Sequence, residues 1–299
     1  MSGMDKSSTT GAPELVSIVI PCHNDGDFLS ASLDSALQQT YRHKEVIVVD
    51  DASDDPRTLR LLKRIEHPDV RILHVDKRHP GAARNAGIQS ARGCYILPLD
   101  ADDLIEPTYV EKAACVLMSR PDVGIVYCKA VFIGKKTGPW ELPPFNIGDM
   151  LANNLIFVTA LFRKSDWCAV GGFRERQFRL GLEDYDFWLA LLGRGRQVHQ
   201  IQESLFRYRV KASSRTTRLY SNLEDMIEAH EQLYQNHRHL YEQHSGDYIK
   251  SLRKLLLVEM DARMRLQEIV DANRRSRGMP QIRSIIGRLV GAARESAGK

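Results

Sequence analysis

Cysteine is scarce in this chain, and long apolar runs are absent. The five cysteines among 299 residues are odd in number and include no CxxC pair, a pattern that favours neither a disulfide framework nor a zinc site. Cys94 and Cys128 lie in apolar runs and are expected to be small core residues. No stretch approaches about 18 consecutive apolar residues, so no transmembrane helix is expected.

The N-terminal segment lacks the apolar core of a signal peptide. Met1 to Pro13 is small and polar, so we expect residues 1–14 to form a disordered leader in a cytoplasmic protein. Charge is uneven, because residues 251–299 hold eleven Lys or Arg and five Asp or Glu, which leaves a net −2 on the first 250 residues. A basic tail favours an anionic surface or partner over a nucleic-acid-binding core.

Apolar segments of two kinds alternate along the first half of the chain. Continuous apolar stretches predict five strands, at residues 16–21, 45–50, 70–75, 94–99 and 123–128. Between them apolar residues recur at helical spacing, as at Phe28, Leu29 and Leu33. Buried strands that alternate with helices predict an α/β fold with a mainly parallel sheet covered by helices on both faces.

The second half is predicted to be less regular and to end in helices. Residues 134–148 are rich in Gly and Pro and predict a loop, whereas residues 183–192 predict a helix. Long polar helices are expected from residue 221 onward, with a boundary near Tyr220. A last apolar stripe lies within residues 282–293 beside several arginines, so we expect peripheral membrane contact or self-association through the C-terminal helices.

Three carboxylates within four residues follow the fourth predicted strand: Asp100, Asp102 and Asp103. Carboxylates repel one another and resist desolvation, and a divalent cation offsets both costs. Mg²⁺ and Mn²⁺ usually take one or two protein carboxylates and leave positions for phosphate oxygens. The alternative is an acidic turn that caps the helix predicted near Pro107.

Other polar residues follow the neighbouring strands, and ligands of such sheets bind beyond the carboxyl ends of the strands. Asp51 could accept the N3–H of a uracil ring, or it could cap a turn together with Ser53. Arg84 could pair with phosphate or lie on a solvated helix face. The pair Glu183-Asp184 could act on an acceptor or simply favour the start of a helix through the macrodipole.

Six segments, in order, resemble the successive signatures of the family 2 inverting glycosyltransferases, which have the GT-A fold. They are Val16-Ser-Ile-Val-Ile-Pro-Cys-His-Asn24, Val48-Val-Asp-Asp-Ala-Ser53, Gly81-Ala-Ala-Arg-Asn-Ala-Gly87, Leu99-Asp-Ala-Asp-Asp103, Gly171-Gly-Phe173 and Glu183-Asp184. The resemblance covers about residues 15–215. It implies a GT-A domain at 15–220, with a nucleotide-binding half at 15–105, an acceptor half at 106–220 and a helical extension at 221–299.

The resemblance also implies a role for each matching residue. Asp184 would be the catalytic base, and Glu183 would orient it or the acceptor. Asp100 and Asp102 would hold Mn²⁺ or Mg²⁺, with Asp102 binding the metal most directly. Asp51 would read the nucleotide base. The full nucleotide-binding set would be Pro21, His23, Asn24, Asp50, Asp51, Arg84, Asn85, Asp100 and Lys211.

The implied reaction moves a sugar from a nucleotide-diphosphate sugar, with UDP as the expected nucleotide, to a hydroxyl of a glycan or lipid-linked acceptor. The setting would be surface polysaccharide biosynthesis, in the cytoplasm or at the inner face of the membrane. Inversion by single displacement needs one base on the acceptor side and a metal on the leaving diphosphate.

One position departs from the family pattern. The segment Tyr208-Arg-Val-Lys211 has lysine where the family often places a histidine near the diphosphate. A protonated lysine cannot ligate a metal but can neutralise a phosphate, so the expected metal shell loses one candidate ligand.

Two alternative functions stay open at this point. A sugar-phosphate nucleotidyltransferase should carry a basic, Gly-rich loop after the first strand, whereas Pro21 to Gly26 is acidic and contains no lysine. The other alternative is a non-catalytic nucleotide-binding scaffold, against which the intact Asp51, Asp102 and Asp184 argue.

Overall fold

The computed structural model describes residues 14–178, 181–211 and 222–275, with side chains up to Asp271. Contacts divide these residues into two units. One holds the described residues up to Asn146 together with Asn153–Gln243, and the other holds Ile147–Ala152 and the described residues from His244 onward. The predicted leader up to Pro13, the predicted boundary near Tyr220 and the predicted helix at 282–293 lie outside the described residues.

The first four strands of the larger unit all pair in parallel. They are β1 (Val16–Cys22), β2 (Lys44–Asp51), β3 (Val70–Val75) and β4 (Tyr95–Pro98), in the spatial order β3-β2-β1-β4. These four predicted strands are confirmed to within one residue at each end. β1 and β4 are buried along their whole length, as their continuous apolar sequences require.

Helices connect these strands. They are α1 (Leu29–Leu37), α2 (Pro56–Leu62), α3 (Pro80–Ser90) and α4 (Tyr109–Ser119). α3 lies close against the sheet because Gly87 has no side chain: a Cβ there would be 2.5 Å from Val19 Cγ1 and 2.8 Å from Val49 Cγ2. This close packing carries Arg84 and Asn85 on α3 toward the carboxyl ends of β1 and β4.

The sheet continues with strands of both directions. They are β5 (Leu104–Ile105), β6 (Val123–Gly134), β7 (Gly138–Trp140), β8 (Leu161–Arg163) and β9 (Gln197–Val210). The order extends as β4-β8-β6-β9-β5, with β7 paired to β6, and only the β6–β9 pair in this half is parallel. The α/β class is therefore confirmed, with a parallel first half and a mixed second half.

The predicted loop at 134–148 is corrected by the structure. β6 runs six residues beyond the predicted end at Cys128, and β7 lies inside the predicted loop. The glycines that suggested a loop serve the turn between these strands, where Gly134 and Gly138 adopt φ values of 89° and 113°.

Three further helices belong to the larger unit: α6 (Lys164–Val170), α7 (Glu183–Gly193) and α8 (Leu223–Gln243). α8 packs on α7 through polar groups: His237 and Asp186 are buried with His237 Nε2 2.8 Å from Asp186 Oδ1, and the partly buried Asn236 donates to the same oxygen through Nδ2 at 2.9 Å. α8 departs from helical geometry at His237.

The smaller unit consists of α5 (Ile147–Ala152) and α9 (Ser245–Arg275), and α5 packs against the first turns of α9. Ser251 is buried there, whereas most side chains of α9 beyond it are exposed. None of the helices in the described ranges combines the length and apolar character needed to cross a bilayer.

Of the two cysteines that were predicted to be core residues, one is buried and the other is exposed. Cys128 is buried on β6, as predicted. Cys94 is exposed, with its Sγ 3.0 Å from Glu14 Oε2, because β4 begins one residue later at Tyr95.

Candidate active site

Arg84 joins two of the predicted motifs. Its side chain is 5% exposed, and its guanidinium donates to Asp100 Oδ1 at 2.6 Å through Nη2 and to Glu183 Oε1 at 3.0 Å through Nη1. Burial alone would lower the pKa of Arg84, but the charges of Asp100 and Glu183 outweigh burial and raise it. The permanently charged fork therefore holds the first aspartate of the Asp100-Ala-Asp102 motif beside the Glu183-Asp184 motif.

Asp184 lies at the start of α7, next to this ion pair. Tyr185 N donates to its Oδ1 at 2.8 Å, and Asn154 Nδ2 lies 3.5 Å from its Oδ2. Burial and the charge of Glu183 raise the pKa of Asp184 to about 6, while Arg84 opposes the rise. A carboxyl with a pKa near neutrality is suited to remove a proton from a substrate hydroxyl.

The backbone just before this pair is strained. Leu182 adopts φ 73°, in the left-handed region that a bulky side chain rarely enters. The strained turn sets where Glu183 and Asp184 point at the start of α7, and such outliers cluster at functional sites.

Asp102 is paired with a lysine. Lys211 Nζ lies 2.6 Å from Asp102 Oδ2 and 3.1 Å from Asp25 Oδ1. Burial and the neighbouring charge of Asp100 raise the pKa of Asp102, and Lys211 opposes this. A cation placed against Asp102 would therefore relieve an existing electrostatic cost.

Asp103 holds the carboxylate turn against the end of β9. Its buried Oδ1 accepts from Arg209 N at 2.7 Å, and Arg209 Nε donates to the carbonyl of Asp102 at 2.7 Å. Burial raises the pKa of Asp103 well above its usual range, and the charges of Asp102 and Asp100 raise it further. Asp103 therefore positions the turn and does not face a ligand.

The acidic turn fits a divalent cation completed by phosphate. In their ion pairs Asp100 and Asp102 each use one carboxylate oxygen. Across residues 14–178, 181–211 and 222–271, no three His, Cys, Asp or Glu side chains are grouped so as to hold a metal. Two carboxylates with phosphate oxygens are a usual Mg²⁺ or Mn²⁺ shell, so the residues fit that role even without the histidine replaced by Lys211.

Asp51, the predicted base-reading residue, is buried and supports a loop. Its carboxylate accepts from the backbone N–H groups of Lys77 at 2.6 Å, Arg78 at 2.8 Å and His79 at 2.9 Å. A carboxylate has about four acceptor positions, so one is left for a base N–H. The assignment of Asp51 to the nucleotide base stays a prediction.

The other predicted nucleotide residues of β1 and β2 lie close to Asp51 and order the loop at 52–55. His23 Nδ1 lies 2.7 Å from the carbonyl oxygen of Asp51, and His23 is exposed. Asn24 Oδ1 accepts from the N–H groups of residues 54 and 55 at 2.9 Å each. Asp50 is buried and accepts from Ser53 N at 3.2 Å, and Pro21 is buried within β1.

Protein groups make four hydrogen bonds with the side-chain amide of Asn85. Its Oδ1 accepts from Trp167 Nε1 at 3.0 Å and Phe173 N at 2.9 Å, and its Nδ2 donates to Phe173 O at 2.8 Å and Glu175 Oε2 at 3.1 Å. A Cβ at Gly172, which has φ 78°, would lie 2.7 Å from Asn85 Oδ1. Asn85 therefore positions the turn at 171–173, and the predicted contact with nucleotide would require one of these bonds to break.

Two residues of the site were missed by sequence reasoning: Arg209 holds the carboxylate turn, and Asn154 approaches Asp184. Asp25, one of the polar residues that follow the first strand, shares Lys211 with Asp102. One signal was available for the basic residues: Arg207, Arg209 and Lys211 alternate along and just beyond β9, and a strand places alternate residues on one face.

Comparisons with known proteins agree with this arrangement. A sequence model described as glycosyl transferase family 2 matches residues 17–179. The chain is 31% identical over 219 residues, 70% of this chain and 83% of the relative, to the Escherichia coli UDP-Glc:alpha-D-GlcNAc-diphosphoundecaprenol beta-1,3-glucosyltransferase WfaP. It is also 31% identical over 62% of its length to Escherichia coli chondroitin synthase, of which it covers 28%. The chain spans between 24% and 43% of the first three curated relatives.

Among solved structures, Staphylococcus aureus TarS 1–349 in complex with UDP-GlcNAc matches with a TM-score of 0.65 at 17% identity, covering 79% of this chain and 71% of that one. At this identity the match shows the fold alone. The sheet order and this match show the GT-A fold. The chain belongs to glycosyl transferase family 2, whose sequence model matches more than half of it.

Proposed function

We propose that this chain is a metal-dependent inverting glycosyltransferase that moves a sugar from a UDP-sugar to a hydroxyl of a glycan or lipid-linked acceptor in polysaccharide biosynthesis. The main support for this proposal is that Arg84 forms ion pairs with both Asp100 and Glu183, so that the candidate base motif lies beside the candidate diphosphate motif. The names of the relatives support the substrates: TarS was solved with UDP-GlcNAc, and WfaP uses UDP-Glc and a diphosphoundecaprenol-linked sugar.

In the proposed reaction Asp184 removes the proton of the acceptor hydroxyl as that oxygen attacks the sugar from the face opposite the diphosphate. Arg84 fixes Glu183, and Glu183 in turn helps to place Asp184 at the start of α7. Lys211 supplies positive charge at the phosphate end. A divalent cation bound by Asp100 and Asp102 would neutralise charge on the leaving diphosphate.

A nucleotide screen tests the donor. Thermal unfolding with Mn²⁺ and UDP-, GDP- or TDP-sugars should show stabilisation only by the correct nucleotide, by about 2.7 kcal/mol at 100 times the dissociation constant. Release of UDP should then increase when oligosaccharide or lipid-linked acceptors are added. A nucleotidyltransferase would release pyrophosphate, and a scaffold would bind the nucleotide without turnover.

The expected effect of Asp102→Asn is loss of transfer without loss of fold. The variant removes a carboxylate whose charged form is already disfavoured by burial, so the melting temperature of the ligand-free protein should stay the same or rise. Calorimetry should show UDP binding that no longer strengthens with Mn²⁺. Asp25→Asn is the matched control, because it removes the other partner of Lys211 and leaves both proposed metal carboxylates in place. Wild-type turnover in Asp102→Asn would contradict the metal assignment.

A cluster of aromatic rings is the proposed contact for a saccharide acceptor. Trp140 and Tyr208 are partly exposed, and the Trp140 ring lies 5.2 Å from that of Tyr208 and 6.0 Å from that of Phe157. Burial raises the pKa of Tyr208, and the charges of Asp103, Asp100 and Asp102 raise it further. In the proposed function a pyranose of the acceptor stacks on this cluster of rings.

Trp140→Ala should raise the KM for a saccharide acceptor roughly tenfold, about 1.4 kcal/mol, and leave the KM for the UDP-sugar unchanged. Trp140→Phe, which keeps a ring, is the matched control and should retain most of the acceptor affinity. Initial rates at varied acceptor and fixed donor provide the measurement. An unchanged acceptor KM in a stably folded Trp140→Ala variant would remove these rings from the acceptor site.

A further inference from the structure

Helix α9 exposes large apolar side chains that a soluble helix would normally cover. Leu257, Met260 and Met264 are 62%, 49% and 59% exposed. α5 covers only the first turns of the helix, near Ser251. Three exposed apolar side chains at spacings of three and four residues form one face, and such faces mark interaction sites.

Charges of opposite sign flank this apolar face. Lys250 and Arg253 lie on the N-terminal side, and Glu268 and Asp271 lie on the C-terminal side. The series 250, 253, 257, 260, 264, 268 and 271 keeps spacings of three or four throughout, so all seven residues share one stripe, about 32 Å long. Within the part of the chain that the structure describes, none of the four charged residues forms a salt bridge, whereas Glu259 and Asp261 pair with Arg263 and Arg265.

We propose that this stripe, residues 250–271 of α9, pairs antiparallel with the same stripe of a second copy of the chain. Lys250 then faces Asp271 of the second copy, and Arg253 faces Glu268. Both pairings give one register, with the two-fold axis between Met260 and Asp261. In that register Leu257 faces Met264, so the apolar residues meet at the centre and the four ion pairs close the two ends.

The signs of the four charges favour an antiparallel second copy over a parallel copy or an anionic membrane. In a parallel pair the basic ends would face each other, as would the acidic ends, and both contacts would repel. An anionic membrane would attract the basic end but repel Glu268 and Asp271. Of these three arrangements, the antiparallel copy gives each of the four charged side chains a partner of opposite charge, in addition to the hydrogen bond that Asp271 Oδ1 accepts from Gln267 Nε2.

Charge reversal tests the register. Light scattering with size-exclusion chromatography should give twice the 34.0 kDa chain mass for the wild-type protein at low salt, with weaker association as salt increases. Lys250→Glu with Arg253→Glu should raise the dimer dissociation constant at least about tenfold, and so should Glu268→Lys with Asp271→Lys. The fourfold variant that carries all these changes should dimerise again, because each pair is restored with reversed sign.

Three outcomes would overturn the proposal. A wild-type protein that stays monomeric at 100 µM has no such interface. A dissociation constant that does not change in the Lys250→Glu, Arg253→Glu variant would contradict the antiparallel register, because a parallel pair only exchanges one like-charge contact for another. A monomer that co-sediments with phosphatidylglycerol vesicles, and loses this in Leu257→Glu with Met264→Glu, would place the stripe on a membrane. Circular dichroism of each variant, with helicity equal to wild type, is the folding control.

Discussion

Replacement of Arg84 by methionine should destabilise the fold by about 3–5 kcal/mol near pH 7.5, because it removes one partner of a buried ion pair. Methionine has a similar length but no charge, so Asp100 and Glu183 lose the guanidinium that lies 2.6 and 3.0 Å away. Glu183 is buried, and the loss of the Arg84 charge beside its carboxylate would account for most of the cost. Urea unfolding monitored by circular dichroism gives the free energy of unfolding.

The pH dependence and a second variant separate lost charge pairing from lost packing. The destabilisation should shrink as the pH is lowered, because protons neutralise the carboxylates that Arg84 no longer compensates. Arg84→Met combined with Glu183→Gln should recover part of the loss, because the buried carboxylate is then absent. Equal destabilisation at pH 5 and pH 7.5, with no recovery in the double variant, would mean that Arg84 acts through packing alone.

The same variants address the predicted phosphate contact of Arg84. An arginine that binds phosphate directly would weaken UDP binding strongly when it is replaced, even where the fold is intact. A positioning arginine would lower transfer and leave most of the UDP affinity, since both of its charged partners are protein carboxylates. Calorimetry with UDP on the double variant distinguishes these outcomes.

Local sequence patterns were sufficient to predict most of the fold and the position of the site. Apolar strands of four to eight residues alternate with helices, and parallel strands end at one edge of the sheet, so Asp51 and Asp100 were expected to lie on the same edge. The mixed second half was harder to predict. β7 has only three residues, and its pairing with β6 depends on a turn whose glycines also fit a loop.

The partners within the site could not be predicted from local patterns. Arg84 and Glu183 are 99 residues apart, and Lys211 and Asp25 are 186 apart. Only the folded sheet brings α3, α7 and the end of β9 together. Asn85 shows the same limit, because an amide within a family motif is equally suited to a nucleotide or to the turn at 171–173 that it holds.

Asp184→Asn should lower transfer by about 10²–10⁴-fold and leave UDP-sugar binding nearly unchanged. The amide keeps the size of the side chain but cannot accept the proton of the acceptor hydroxyl. Donor affinity should persist because Asp102, Lys211 and Asp51 belong to a different part of the site. Calorimetry with UDP and a transfer assay on the same preparation provide the two measurements.

The raised pKa of Asp184 leads to two further predictions, one for the pH dependence of activity and one for the pH dependence of stability. In the wild-type protein kcat/KM should increase with pH and reach half its plateau near pH 6, because the base acts only when it is deprotonated. A folded pKa above the unfolded value of about 3.9 means that the folded state loses stability as pH rises from about 4 to 6. Asp184→Asn should therefore be more stable than wild type above pH 6, by roughly 2 kcal/mol after allowance for partial exposure, and equal to it below pH 4.

Asp184→Glu is the matched control, because it keeps a carboxylate and displaces it by one methylene. It should retain a pH-dependent residual activity that Asp184→Asn lacks. Collapse of UDP binding in Asp184→Asn would place Asp184 in the nucleotide site. A transfer rate that does not change between pH 5 and pH 8 in the wild-type protein would remove Asp184 as the base. In that case Glu183, which accepts a hydrogen bond from Arg84 at 3.0 Å, would be the remaining candidate for the base.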